Sequence, residues 1–98
     1  MDTTKVIFRK SYPEAGGEVI ALFPSLAGDS NPYRTCLCYT AAGQHGAASV
    51  DLYRSTFPAL PSEYESLKDE LEAIGYNLRV CKRFSRKDLR ERIKQTNG

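Results

Sequence analysis

Between Pro61 and Gly75 the chain carries its firmest structural constraint. Tyr64, Leu67, Leu71 and Ile74 fall at i, i+3, i+7 and i+10, a spacing that lines them along one side of a helix. Ser62 and Glu65 have the separation of a capping box, in which each side chain satisfies a free backbone N–H of the first turn. Gly75 stands where a left-handed C-terminal cap is expected, because glycine has no Cβ to oppose that conformation. The opposite side carries Glu63, Glu65, Lys68, Asp69, Glu70 and Glu72 and must face water. Such a helix is held by burying its apolar side against other elements rather than by propensity alone.

The flanking segments predict a sheet. Residues 5–9 are rich in β-branched and aromatic side chains and read as a strand. Pro13, Gly16 and Gly17 predict a reversal over 11–17. Residues 18–23 follow as a second strand, ended by Pro24, which cannot donate to a ladder. Gly28, Asp29, Ser30, Asn31 and Pro32 mark 25–32 as a loop, and 33–40 reads as a third strand. The small residues of 41–48 surround Gly43-Gln44-His45-Gly46 and read as a tight loop. Residues 49–54 fit either a strand, by alternation of Val50 and Leu52, or one helical turn capped by Ser49.

After the helix, Tyr76, Leu78, Val80, Lys82 and Phe84 alternate with Asn77, Arg79, Cys81 and Arg83, the pattern of a half-buried strand with a basic outer side. Ser85 and Asp88 suit the start of a last helix, for which only Leu89 and Ile93 offer an apolar seam. Residues 85–98 are therefore expected as a weakly held basic helix or a frayed tail. The expected fold is α+β with order β-β-β-α-β-α: a three-stranded antiparallel meander, a helix, a fourth strand and the weak C-terminal helix. A right-handed crossover would place the first helix on one face of a mixed sheet, the other face being uncovered. At 98 residues there is room for one core, with residues 1–84 as a single domain.

No apolar run approaches the roughly 20 residues that span a bilayer, and the start of the chain lacks the apolar stretch and small-residue cleavage site of a signal peptide. Cys36, Cys38 and Cys81 are odd in number, so a secreted disulfide framework would leave one thiol over; a reduced, cytoplasmic protein is expected. The formal charge of +2 conceals an asymmetry. Residues 79–94 hold eight basic side chains against Asp88 and Glu91, a local +6, which leaves −4 for the rest of the chain. Charge separated in this way speaks to partners and solubility rather than to fold.

Several constellations bear on chemistry. Gly43, Gln44, His45 and Gly46 could present backbone N–H groups to an anion, with the single histidine as acid, base or ligand; the plainer alternative is a compact turn. No Lys-Ser/Thr pair follows these glycines, so the segment is not a P-loop. Cys36, Cys38, Cys81 and His45 supply four zinc-ligand types, but Cys-x-Cys is shorter than the usual knuckle spacing and cysteines favour the core, so no metal is expected. A Cys–His nucleophilic pair oriented by Asp51 rests on residue types alone. The basic segment offers Arg79 and Arg83 on one strand face, and Arg86, Lys87, Arg90 and Lys94 on the helix, a set able to neutralise several phosphates. Its alternatives are a solvated face that promotes solubility or pairing with the acidic helix, within the chain or across a homo-oligomer.

Gly43-Gln44-His45-Gly46, together with Glu63-Tyr64, Leu67, Glu70-Leu71, Ile74-Gly75-Tyr76, Leu78-Arg79-Val80 and Lys82-Arg83, resembles a group of short bacterial and phage-associated proteins with no known activity. They share a Gly-Gln-His turn, a proline before an acidic helix, and a strand ending in basic residues. The resemblance spans residues 6–83. It implies that the turn is a property of the group, and it implies no activity, cofactor or partner. A Thr-Pro pair often opens the helix in that group, where this chain has Leu60-Pro61.

The function expected from these residues is a non-enzymatic module that contacts nucleic acid or an acidic protein through Arg79, Arg83, Arg86, Lys87 and Arg90, without cofactor or membrane attachment. The alternative is a small enzyme or anion-binding domain centred on Gly43, Gln44, His45 and Gly46.

Overall fold

Val6 and Phe8 point to one side of strand β1 (Thr4–Ser11), Ile7 and Arg9 to the other, and all four are buried. Both faces of the sheet are therefore covered. The computed structural model describes residues 3–97; Met1, Asp2 and Gly98, at the ends of the segments expected over 1–84 and 85–98, lie outside the described residues.

β1, β2 (Val19–Phe23), β3 (Thr35–Thr40) and β4 (His45–Ser49) pair antiparallel in the order β4-β3-β2-β1. The meander is present and one strand longer than expected. Register aligns Phe8, Ala21, Tyr39 and His45 in one row across the sheet, and Ile7, Leu22, Cys38 and Gly46 in the next. Alternation sends these rows to opposite faces.

The free edge of β1 is shared by two short strands. β5 (Thr56–Pro58) runs antiparallel along Arg9–Ser11, and β6 (Leu78–Val80) runs parallel along Thr4–Val6. β5 and β6 thus run toward each other and meet head-on at the middle of β1. The crossover expected between parallel neighbours is not formed, because the strand that precedes the first helix is β5, which opposes β6 in direction.

Helix α1 (Pro61–Ala73) lies on the Val6 side, where Leu67 and Leu71 join Val6, Phe8, Ala21, Phe23 and Tyr39. Full burial of one such leucine contributes roughly 1.5–3 kcal/mol. The cap differs from the expected Ser62–Glu65 pair. Pro61 occupies the first turn, where no N–H is required, and the Glu63 carboxylate accepts from Leu60 N at 2.9 Å. At the other end, Gly75 adopts φ +115°, and Tyr76 N and Gly75 N donate to the carbonyls of Leu71 and Glu72, closing the helix as anticipated.

The opposite face, built on Ile7, Leu22, Cys36 and Cys38, is covered by Leu52, Tyr53, Cys81 and Phe84, and α2 (Arg86–Asn97) docks beside it. Expectation of a sheet covered on one face is corrected by these contacts. Ser85 and Asp88 form a capping box: Ser85 N donates to Asp88 Oδ2 at 2.7 Å and Asp88 N to Ser85 Oγ at 3.3 Å. Docking is largely polar. Arg92, only 4% exposed, donates to the carbonyls of Pro32 and Pro24, Gln95 bridges Ser25 O and Ala27 N, and Lys5 pairs with Asp88 at 2.7 Å. These anchors supply what the sparse Leu89–Ile93 seam lacks.

Two further segments depart from expectation. The tight loop over 41–48 is confined to the turn between Thr40 and Gln44, and His45–Ser49 is strand β4. Its small residues suit a close approach: a Cβ on Gly28 would lie 2.4 Å from Cys36 O and 3.0 Å from Ala47 Cα. Residues 50–53 form one 3-10 turn, with Asp51 N donating to Ser49 Oγ at 3.1 Å, which is the Ser49-capped alternative of the two left open for 49–54. The strand read over 76–84 is limited to Leu78–Val80, after which the chain turns away from β1 toward α2.

Candidate functional site

The basic residues divide by what surrounds them. Along α2 the helical period places Asp88, Arg92 and Thr96 toward the protein, while Arg86, Lys87, Arg90 and Lys94 are exposed and span about 100° of the helix surface. Arg83, Arg86, Lys87 and Arg90 form no ion pair or hydrogen bond among the described residues. Lys94 has only a 3.5 Å contact with Glu91. Arg79 lies on β6 with its Nη1 at 3.3 Å from Cys81 Sγ. Because β6 ends at Val80, Arg83 falls beyond the strand and does not continue the face of Arg79.

Among the described residues no basic side chain of 79–94 pairs with the acidic helix. Glu63, Glu70 and the rest of α1 sit over one face of the sheet and α2 over the other. The α1 pairs are Lys10–Glu63 and Lys68–Glu72. The Leu60 N–H and then Lys10 hold the Glu63 carboxyl below its ordinary range.

Arg54, from outside residues 79–94, also stands on this side. Arg54, Asp51, Tyr53, Phe84, Arg86 and Arg92 border a groove of about 440 Å³ between the 3-10 turn and α2. Tyr53 and Phe84 meet edge-to-face at 5.7 Å. Arg54 stands isolated among polar residues in sequence, and only the fold brings it beside Arg86.

The Gly43, Gln44, His45, Gly46 segment is a hairpin. Gly43 takes φ +82°, Gly43 N donates to Thr40 O and Thr40 N to Gln44 O, so its geometry is that of a turn closing β3 on β4. His45 is exposed, with Nε2 2.8 Å from the Tyr76 hydroxyl and its ring 4.7 Å from that of Tyr39. Glu70, accepting from the Tyr39 hydroxyl, holds that phenol neutral above its ordinary range, and burial does the same for Tyr76. The array ties the hairpin to α1 and to the start of β6.

The thiols lie elsewhere. Cys36, Cys38 and Cys81 belong to the α2 face of the sheet, His45 to the α1 face, so the four do not converge. All three cysteines are free. Among the described residues no group of three or more His, Cys, Asp and Glu side chains is placed to hold a metal ion, and no helix is long and apolar enough to cross a membrane.

These features define a small α+β domain with a mixed sheet between two helices of opposite charge. No family model matches the chain, and comparisons with curated proteins and with solved structures return no match.

Proposed function

We propose that the protein is a non-enzymatic binding module whose ligand is nucleic acid, held through the exposed cations of α2 and its approach: Arg83, Arg86, Lys87 and Arg90, with Arg79 at the edge. One observation carries this reading: Arg83, Arg86, Lys87 and Arg90 are exposed and unpaired among the described residues, the last three on the side of the sheet away from the acidic helix and Arg83 at the sheet edge beside them. Unneutralised guanidinium and ammonium groups bind phosphates by releasing counterions, largely without regard to sequence. The hairpin around His45 favours this assignment too, since its Gly43 amide already donates to Thr40 O in closing β3 on β4. Three free thiols accord with a cytoplasmic setting.

The test is a fluorescence-anisotropy titration of a labelled oligonucleotide with wild-type protein and with the Arg86→Glu/Arg90→Glu double variant. With about four phosphates neutralised, wild-type affinity should fall by three to four decades per tenfold rise in salt. The variant should bind at least about tenfold more weakly, with a shallower salt slope. Equal binding by both proteins reduces the face to a solubility feature. Binding of polyglutamate, and not of the oligonucleotide, selects an acidic protein as the partner.

A further inference from the structure

The head-on approach of β5 and β6 leaves an opening at the edge of the sheet. Ala59 N still donates to Phe8 O at 3.2 Å and Cys81 N to Val6 O at 2.8 Å, after which one segment departs toward α1 on one face of the sheet and the other toward α2 on the opposite face. Where they part, a cleft of about 470 Å³ opens, bordered by Ile7 and Phe8. Such a volume lies within the range of small-molecule sites.

Its lining is asymmetric in charge and in hydrogen-bonding sense. Tyr53, Tyr64, Pro58 and Pro61 give flat, largely apolar walls, while Lys82 and Arg83 stand exposed beside them. Among the described residues no carboxylate lines the cleft. Arg9 also borders it and is only 7% exposed. Its Nε donates to Thr56 Oγ1 at 3.1 Å, its Nη2 to the carbonyls of Tyr53 and Thr56, and the guanidinium lies 4.1 Å over the Tyr53 ring. Nη1 has no hydrogen-bond partner among the described residues, and no acidic group neutralises the charge. Among the described residues no buried side-chain nitrogen or oxygen lacks a partner, so the unpartnered Nη1 reaches the surface. There it is free to donate to an acceptor-rich anion.

We propose that this cleft binds one nucleotide unit, a phosphate monoester bearing a flat heterocycle, supplied either as a free mononucleotide or as the 5′-phosphorylated end of a single strand. The base lies against the Tyr64, Pro58 and Pro61 walls, Lys82 and Arg83 hold the phosphate, and Arg9 supplies a donor to an acceptor of the bound unit. The cleft shares Arg83 with the α2 face but none of Arg86, Lys87 and Arg90, so the Arg86→Glu/Arg90→Glu variant tests that face without touching the cleft.

The test is an NMR titration of the ¹⁵N-labelled full chain with the four ribonucleoside 5′-monophosphates, with adenosine and inorganic phosphate as separate arms. Amides of residues 59–60 and 80–83 should shift, and adenosine or phosphate alone should bind at least about tenfold more weakly than the nucleotide. Lys82→Glu/Arg83→Glu should weaken the nucleotide about tenfold or more. Val80→Trp, at a position 41% exposed beside the cleft, should abolish binding by filling it, with melting temperature confirming that each variant is folded. A 5′-phosphorylated oligonucleotide binding tenfold tighter than its 5′-hydroxyl form identifies the strand end as the ligand; equal affinity of oligonucleotide and mononucleotide identifies the free nucleotide. No shift in the cleft at about 10 mM of any nucleotide, equal response to phosphate alone, or undiminished binding by folded Val80→Trp overturns the proposal. Oligonucleotide binding through α2 would survive any of these failures.

Discussion

Arg9 and Arg92 are the residues whose environment departs furthest from what their type suggests. Arginine is rarely buried without a partner, yet both are over nine-tenths buried and both hold the chain by donating to carbonyls of neighbouring loops. Arg92 was one of the eight cations counted toward a basic surface; the fold removes it from that surface. Nothing in the composition of residues 86–97 distinguishes it from Arg90, because the distinction arises only from which side of α2 meets the sheet. Beside Arg92, burial raises the Cys36 thiol to about 11 from an ordinary 9.0, with the Arg92 charge opposing the shift. An unfolded chain ionises this thiol first, so the folded state binds the extra proton between these values. Stability should therefore be at full strength below pH 9 and decline as pH rises from 9 toward 11. Urea midpoints across that range should fall less steeply for Cys36→Ala than for wild type; parallel slopes would exclude Cys36 as the source.

Elements were legible in proportion to how locally they are specified. α1 is legible because its apolar spacing and Gly75 act within one stretch of chain, but of the four expected apolar positions Ile74 lies past the last helical residue and is 53% exposed. The start of α1 is not marked locally, because Leu60 has no capping side chain and Glu63 substitutes by reaching back to Leu60 N. β4 and β5 leave little trace in the sequence: Gly46-Ala47-Ala48 has little strand propensity, and Thr56–Pro58 is three residues ended by proline. Both exist as strands because β3 and β1 offer open edges, information absent from the segments themselves. α2 combines the two cases. Its capping box is local, whereas its docking through Arg92 and Gln95 is not. Ser85→Ala removes one cap bond and should cost about 1 kcal/mol, seen as a lower urea midpoint with unchanged slope. A midpoint equal to wild type would show that docking alone holds the helix start.

At the scale of the whole molecule, the sheet separates the charges. An acidic helix covers one face and a basic helix lies on the other, so a net charge of +2 coexists with two strongly charged sides. Because α2 satisfies the Pro24 and Pro32 carbonyls and stands beside Cys36, residues 1–84 alone should not reproduce the native fold. The expected result is loss of the cooperative thermal transition and of near-ultraviolet dichroism on truncation after Phe84; retention of both would make α2 a dispensable appendage. The sequence by itself determined the α+β class, the first three strands, the acidic helix and the concentration of cations near the C-terminus, since periodicity, glycine caps and charge act over a few adjacent residues. The tertiary structure alone decided that both faces are covered, that the His45 hairpin and the thiols part to opposite sides, that Arg9 and Arg92 are buried, and that β5 and β6 leave a cleft between them. Each of these depends on residues distant in sequence, where pairing and packing choose among partners that no local pattern encodes.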